Sequence, residues 1–136
     1  MARIQQISPG VRDDRRTADF WRRALGYVRR PPRYDGDEWI VLDPPAGVAD
    51  IPLALDLSES PPRKYPRIHL DLEAHTGKLD EEVDRLLALG AQRVDWPHYP
   101  TDDDPEPPGV RARYVVLADP EDNVFCVAER QSAPPG

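Results

Sequence analysis

The feature that most constrains the fold of this chain is a strand–turn–strand pattern that occurs twice. The clearer copy spans 114–129, YVVLADPEDNVFCVAE, where two β-branched and aromatic runs flank a turn rich in Asp, Pro and Asn. The weaker copy spans 39–56, where a similar apolar run leads through Asp-Pro-Pro-Ala-Gly into a second one. Two such hairpins in one short chain indicate an internal duplication.

The elements before each hairpin repeat with nearly the same spacing. Gly26 and Gly90 each follow a predicted helix and are 64 residues apart, and the strand positions Gln6 and His69 are 63 apart. Between the hairpins the offset grows to 75, because a Pro- and Asp-rich loop at 97–109 is inserted, with a length typical of functional loops. The order strand, helix, three strands is therefore predicted twice, as an α+β fold of tandem βαβββ modules.

The boundaries of the modules follow from composition. Module 1 is predicted at 1–60 and module 2 at 66–130, joined by a Pro-rich charged linker and followed by a flexible tail at 131–136. Each module has one helix to cover one face of its sheet, so the opposite faces need other cover or line a cavity. We expect the two sheets to form a cup-shaped mixed sheet with the helices on the outside, in a single domain over 1–136.

Local sequence signals indicate where the first strand and the two helices lie. A first strand is predicted at 3–8, with Pro9-Gly10 as its end, and Asp13, Asp14 or Thr17 is predicted to cap the first helix. The second helix is predicted to bury an apolar stripe, namely Leu79, Val83, Leu86 and Leu87.

Composition excludes several classes of function. The formal net charge of −7 disfavours nucleic acid as a partner, because that affinity comes from clustered Lys and Arg. A single cysteine forms no internal disulfide. No apolar run approaches the length of a membrane span, and no signal-peptide core is present, so we expect a cytoplasmic protein without a membrane partner.

Four motifs together resemble the vicinal oxygen chelate superfamily, which contains glyoxalases, bleomycin resistance proteins and extradiol dioxygenases, and most closely its glyoxalase-like domain group. The motifs are Phe20-Trp21 with Ala24-Leu25-Gly26, RIHLDL at 67–72, LLALGA at 86–91, and VLADPEDNVF at 116–125. The resemblance implies the tandem βαβββ fold and a homodimer. In the enzymes of the superfamily it also implies one divalent metal, held by four strand residues, two from each module.

Carried onto this chain, the four metal positions implied by the resemblance are Gln6, Asp56, His69 and Cys126. Strand parity gives them a shared direction, opposite the apolar residues that face the helices. The chain departs from the family pattern because Cys126 replaces a carboxylate, Gln6 is a weak neutral donor and Asp122 replaces a turn glycine. This mixed donor set is most compatible with zinc.

Each of these residues also has a purely structural interpretation. Cys126 is consistent with a small buried hydrophobic residue, His69 with a hydrogen-bonded strand histidine, and Asp56 with a partner of a backbone amide or an arginine. The degenerate donor set therefore favours a protein that binds a small molecule in a polar cavity. The predicted ligand-binding residues are Trp39, Asp56, His69, Asp71 and Tyr114.

Two alternatives come from other classes of protein. The first is a metal-dependent lyase, isomerase or dioxygenase-type enzyme acting on vicinal-oxygen substrates, with Asp56 or Glu129 as candidate base. The second is a regulatory or protein-interaction module on the same scaffold, which an exposed apolar patch would indicate.

Overall fold

The computed structural model describes residues 1–75, 77–101, 103 and 112–130, and divides into two compact units, Met1–Pro62 and Arg63–Gly136. The division falls within the Pro-rich stretch that was interpreted as a linker. The tail at 131–136 and most of the loop at 97–109 lie outside the described residues.

The first unit contains one helix and a four-stranded mixed sheet. Its elements are β1 (Gly10–Val11), α1 (Asp14–Leu25), β2 (Val28–Arg29), β3 (Ile40–Asp43) and β4 (Leu53–Leu57). The strand order is β1-β4-β3-β2, with β1 parallel to β4 and the other pairs antiparallel. Helix α1 contacts β3 and β4.

The second unit repeats this arrangement. Its elements are β5 (Leu70–Ala74), α2 (Leu79–Leu89), β6 (Gln92–Arg93), β7 (Tyr114–Ala118) and β8 (Val124–Glu129). The strand order is β5-β8-β7-β6, with β5 parallel to β8, and α2 contacts β8. The predicted α+β class and the twofold βαβββ order are confirmed.

Both helices end as the sequence predicts. Asp13 caps α1, because its Oδ1 accepts a hydrogen bond from the backbone N–H of Arg16 at 3.0 Å, and Gly26 ends the helix at φ +68°. Gly90 follows α2, which buries Leu79, Val83 and Leu86 but leaves Leu87 half-buried. Neither helix in the described part of the chain is long and apolar enough to cross a membrane.

The prediction for the first strand was wrong. Residues 3–8 form only an isolated parallel bridge, between Ile7 and Leu53, and β1 begins at Gly10, beyond the predicted end. Pro9 does not stop the pairing because its carbonyl accepts from the N–H of Asp56 at 3.1 Å, and an edge strand tolerates a residue without an N–H.

Each unit buries its own apolar residues. In the first unit the side chains below 2% exposure include Leu42 and Leu55, on the paired strands β3 and β4. In the second unit they include Leu86 of α2 together with Leu117 and Phe125, which are opposite each other on β7 and β8. The strongly apolar hairpins therefore form the centre of each sheet. Because their apolar residues are buried on one face, the register of the polar residues that alternate with them is fixed as well.

Replacing Tyr27 with phenylalanine is expected to lower the free energy of unfolding by about 1 kcal/mol, because the Tyr27 hydroxyl donates a 2.9 Å hydrogen bond to the carbonyl of Ile51. Burial, and then the negative charge of Asp50, raise the pKa of Tyr27 to about 12. The unfolded phenol ionises near pH 10, so this contribution is complete below pH 10 and is lost as the pH rises towards 12.

Urea unfolding at pH 7 and between pH 10 and 12 measures both effects. The wild type should lose stability across the alkaline window more steeply than Tyr27→Phe. Parallel alkaline curves for the two proteins would contradict the assignment.

Candidate functional site

The parallel pairing of β5 and β8 brings three polar residues together in the second unit. Asp71 is directly opposite Cys126 in this pairing. His69 was predicted at a strand position, but it lies one residue before β5, and its imidazole contacts the Asp71 carboxylate. On the other side of β8, Val116 of β7 is paired with Cys126, so the three polar residues are next to an apolar strand.

The side-chain atoms of these three residues converge. His69 Nδ1 lies 2.8 Å from Asp71 Oδ1 and 4.0 Å from Cys126 Sγ, and one ligand atom from each residue lies within 4.8 Å of the others. The His69 and Asp71 side chains are 34% and 68% exposed, while Cys126 is half-buried. The group is accessible to a solute, with Asp71 and Cys126 on two adjacent strands and His69 directly before the first of them.

The thiol of Cys126 is kept protonated at neutral pH. Burial first, and then the negative charge of Asp71 and a hydrogen bond to it, raise the pKa of Cys126 to about 11. A protonated thiol is a weak nucleophile, so this group does not resemble an activated cysteine of a covalent catalyst. It offers donors and acceptors to a ligand instead.

A second polar arrangement lies in the first unit. Trp39 Nε1 donates a 3.0 Å hydrogen bond to Asp56 Oδ1, and the Arg33 guanidinium lies 4.9 Å from the centroid of the Trp39 ring. Asp37 accepts from Arg33 Nε at 2.8 Å, and this pair holds the pKa of Asp37 well below its usual range. Trp39 and Asp56, which are both predicted to bind a ligand, are therefore in contact with each other. Their role in ligand binding stays a prediction.

Arg33 and Asp37 were not singled out from the sequence. The signal for them is an i, i+4 pair of opposite charge, but it lies in a Pro-rich stretch where helical spacing carries no information. Asp37 also accepts from the backbone N–H groups of Arg33 and Trp39, so a local loop rather than a helix brings the pair together.

The other candidate residues have separate partners. Gln6 Nε2 donates to Ser8 Oγ at 3.3 Å. Glu129 Oε1 accepts from the backbone N–H of Arg113 at 2.9 Å, and Glu129 has the opposite strand parity to Cys126. Tyr114 packs against Tyr99 with ring centroids 5.5 Å apart.

An aromatic cluster of Tyr65, Trp96 and His98 lies in the second unit. The ring centroids are 5.3 to 5.6 Å apart, and the Trp96 indole Nε1 is buried without a hydrogen-bond partner in the part of the chain that the structure describes. A buried indole N–H is a donor that a ligand acceptor can satisfy.

A cavity of about 690 Å³ opens in the first unit, within the range of small-molecule sites. Its lining consists of Val11, Arg12, Leu57, Ser58 and Glu59. It contains none of the predicted ligand-binding or metal-binding residues, although Leu57 directly follows Asp56.

The three polar side chains of His69, Asp71 and Cys126 suit some metal ions better than others. An imidazole nitrogen, a carboxylate oxygen and a thiol sulfur form a mixed set that suits zinc and is poorly matched to Mg²⁺ or Mn²⁺, which prefer oxygen ligands. If a metal binds, His69, Asp71 and Cys126 are the residues of this unit that hold it, and it would supply Lewis-acid polarisation of a ligand oxygen.

The turn between β7 and β8 is strained at Asp122, where the backbone has φ +64°. Asp122→Gly is expected to keep or slightly raise stability, whereas Asp122→Val is expected to lower the free energy of unfolding by about 1 to 2 kcal/mol because its branched side chain clashes in this conformation. Urea unfolding of the three proteins measures the difference. Equal urea midpoints for Asp122→Gly and Asp122→Val would contradict the assignment of backbone strain to Asp122.

Comparison with known proteins agrees with this architecture. The family model for the glyoxalase-like domain matches residues 6–128. No curated protein matches the chain.

Several solved structures share the fold at low sequence identity. One is TnmS3, an antibiotic binding protein from Streptomyces sp. CB03234, at 23% identity, covering 96% of this chain and 98% of that one with a TM-score of 0.62. Another is a glyoxalase/bleomycin resistance protein/dioxygenase family enzyme from Burkholderia phytofirmans PsJN, at 19% identity, covering 94% and 98% with a TM-score of 0.64.

A third is a mutant of the fosfomycin resistance protein FosX from Listeria monocytogenes, complexed with Mn(II) and 1S,2S-dihydroxypropylphosphonic acid, at 17% identity, covering 94% and 90% with a TM-score of 0.64. The family match extends over nearly the whole chain, and the same element order is found in both units. The chain therefore belongs to the glyoxalase-like domain family, within the glyoxalase, bleomycin resistance protein and dioxygenase (vicinal oxygen chelate) superfamily.

Proposed function

We propose that this protein binds a small molecule through the polar group of His69, Asp71 and Cys126. The observation that carries the proposal is the convergence of a histidine, a carboxylate and a thiol, two of them exposed, at the paired strands β5 and β8. Polar side chains that converge on a ligand fix its orientation, while the apolar surface around them supplies most of the affinity.

Aromatic residues support the same proposal. In the first unit Trp39 is held between the Arg33 guanidinium and the Asp56 carboxylate, so its ring is ordered before a ligand arrives. In the second unit Tyr114 belongs to β7, beside β8, and shares its strand parity with Val116, the partner of Cys126. Tyr114 is the proposed aromatic contact of a ligand in the second unit, and Trp39 is the proposed aromatic contact within the first unit.

Two structural neighbours suggest a class of ligand. TnmS3 is an antibiotic binding protein and FosX is a fosfomycin resistance protein. We therefore propose an antibiotic-like small molecule, bound without turnover, as the first class to test.

The test is a thermal-shift screen followed by calorimetry. Fosfomycin, bleomycin and a panel of aromatic antibiotics are titrated into the full chain. A hit should raise the melting temperature and bind roughly tenfold or more weakly to His69→Ala and to Asp71→Asn, as expected when about 1.4 kcal/mol of polar contact is lost.

The matched control is His75→Ala, which removes an exposed histidine of the same unit that contacts Glu73. Binding should be unchanged in this variant. A panel in which no compound stabilises the wild type, or in which His75→Ala loses as much affinity as His69→Ala, would overturn the proposal.

The alternative function is a metal-dependent lyase, isomerase or dioxygenase-type enzyme acting on vicinal-oxygen substrates. The observation that favours it is the presence of three ligand types within 4.8 Å. The base would be Asp56, which also accepts from Trp39, or Glu129, which is engaged by the Arg113 backbone. Turnover of a diol or of a 2-oxoaldehyde–thiol adduct that requires added metal would establish it.

A cytoplasmic homodimer completes the proposal. Its support is the resemblance to the superfamily, together with a single cysteine, which leaves no internal disulfide of the kind that an oxidising compartment favours. Light scattering on the eluted protein measures the assembly, and a monomer mass at micromolar concentration would contradict it.

A further inference from the structure

One face of the sheet in the second unit is made of small side chains and is partly open. Along β8, Cys126 and Ala128 are half-buried, whereas Phe125 and Val127, which point to the other face, are buried. Val116 of β7 is directly opposite Cys126, and residues opposite each other in an antiparallel pair lie on the same face. The face that carries Cys126 therefore has a floor of small side chains.

Two tyrosine rings form a wall on one side of this floor. Tyr114 of β7 is directly opposite Ala128, so its ring leaves the sheet on the same face as Cys126. The Tyr99 ring packs against the Tyr114 ring, with centroids 5.5 Å apart and an angle of 41° between the ring planes. Tyr99 is 37% exposed and Tyr114 is half-buried, so a solute can reach the rings.

The Tyr99 hydroxyl is held in place by a backbone group. Strand β6 pairs with β7 at Leu117 and Ala118, so the N–H of Val116 lies just beyond this pairing. It donates a hydrogen bond to Tyr99 Oη at 2.8 Å. A phenol that accepts in this way still has its own proton to donate, and no acceptor among the residues that the structure describes takes it. The accepted hydrogen bond also polarises the hydroxyl, which makes it a better donor.

The side of the floor opposite the tyrosines is polar. Asp71 is the partner of Cys126 on β5, and His69 Nδ1 lies 2.8 Å from the Asp71 carboxylate. Asp71, Cys126 and Val116 therefore form one row across three neighbouring strands, which spans about 10 Å at the usual strand spacing. A ligand that contacts both the Asp71 side and the Tyr99 side needs that length, which two or three fused rings provide.

The chemistry of the two sides determines the polar groups that such a ligand carries. The Asp71 carboxylate accepts hydrogen bonds, so the ligand end beside it should carry an O–H or N–H group. The Tyr99 hydroxyl donates, so the far end of the ligand should carry an acceptor. A neutral carbonyl suits this place better than a carboxylate, because the charge of Asp71 and the net charge of −7 repel an anion.

We infer that Tyr99 is a ligand-binding residue, whose hydroxyl donates to a carbonyl at one end of a flat, neutral aromatic molecule. The other end of this molecule carries a hydroxyl that binds at His69 and Asp71, and Tyr114 contacts its rings. The inference rests on the proposed function, because it concerns the same face of the sheet. It adds a residue and a class of ligand that the proposed function does not specify.

Methyl 6-hydroxy-2-naphthoate and 2-naphthol test the inference as a matched pair, because both have the hydroxyl and the fused rings but only the ester has the carbonyl. Each probe is titrated with the full chain, as wild type and as Tyr99→Phe, and the naphthalene fluorescence reports binding. We expect Tyr99→Phe to bind the ester roughly three- to tenfold more weakly and to bind 2-naphthol as the wild type does. General damage to the fold would weaken both probes equally, so the difference between them isolates the hydroxyl.

Tyr65→Phe is the matched control, because it removes the hydroxyl of another exposed tyrosine in the same unit. It should bind both probes as the wild type does, with thermal unfolding verifying that each variant is folded. A wild type that does not bind the ester would overturn the inference, as would equal losses for both probes in Tyr99→Phe. Ester binding that is weakened by His69→Ala but not by Tyr99→Phe would also overturn it, while leaving the proposed function in place.

Discussion

Asp119→Ala is expected to lower the free energy of unfolding by about 3 kcal/mol, a large share of the stability of a domain of this size. Asp119 is only 1% exposed, and its Oδ1 accepts hydrogen bonds from the backbone N–H groups of Glu121 at 2.8 Å and Asn123 at 2.9 Å. Alanine leaves both donors without this acceptor in the turn that joins β7 to β8. Cys126 is on β8 of this hairpin, so loss of the turn should also make the position of Cys126 relative to His69 and Asp71 less ordered.

Two variants make the measurement specific. Asp119→Asn keeps one side-chain oxygen at nearly the same place and should lose roughly half as much stability. Asp95→Ala removes an exposed acid of the same unit and should change the free energy of unfolding by less than about 0.5 kcal/mol. If urea unfolding gives Asp119→Ala the same midpoint as Asp95→Ala, the turn does not depend on this carboxylate.

The order of the elements could be predicted because its signals are local. The apolar runs of the two hairpins, and the glycines that follow Leu25 and Leu89, act within a few residues, and the structure has both hairpins and both helix ends there. The first strand was predicted wrongly because its pairing is not local. Its limits depend on β4, more than 40 residues further along, which pairs across Pro9 as well as before it.

The convergence of His69, Asp71 and Cys126 could be predicted from the sequence only in part. The alternation predicted over 67–72 puts His69 and Asp71 on one side without knowledge of other strands, although in the structure His69 lies just before β5. The pairing of Asp71 with Cys126 depends on the register of two parallel strands joined by a long crossover, and no local pattern encodes that register. Asp71 was therefore predicted as a ligand-binding residue and not as a neighbour of the thiol.

The contacts of Trp39 could not be predicted from the sequence for a different reason. Its contacts with Arg33 depend on the conformation of the loop that precedes β3, where Asp37 accepts hydrogen bonds from the Arg33 side chain and from two backbone N–H groups. Loop conformations of this kind follow from many weak local preferences. Sequence patterning predicts that such a loop exists but not which side chains meet in it.

Cys126→Glu is expected to exchange the metal preference of the second unit. The substitution replaces the thiol with the carboxylate that the superfamily enzymes usually have at this position. With His69 and Asp71 it gives one nitrogen and two carboxylate ligands, which suit Mn²⁺ better than a set containing sulfur. The new carboxylate is also directly opposite Asp71, and like charges at paired strand positions destabilise a sheet by about 0.2 to 1 kcal/mol.

The metal-free variant should therefore melt below the wild type and be rescued by manganese. Mn²⁺ at about 100 times its dissociation constant should stabilise the variant by about 2.7 kcal/mol, while leaving the wild type nearly unchanged at the same concentration. Cys126→Gln has the same length without the charge and should show neither the loss nor the rescue. Equal stabilisation of Cys126→Gln and Cys126→Glu by Mn²⁺ would mean that the ion binds elsewhere, and equal stabilisation of the wild type would mean that the sulfur does not determine the preference.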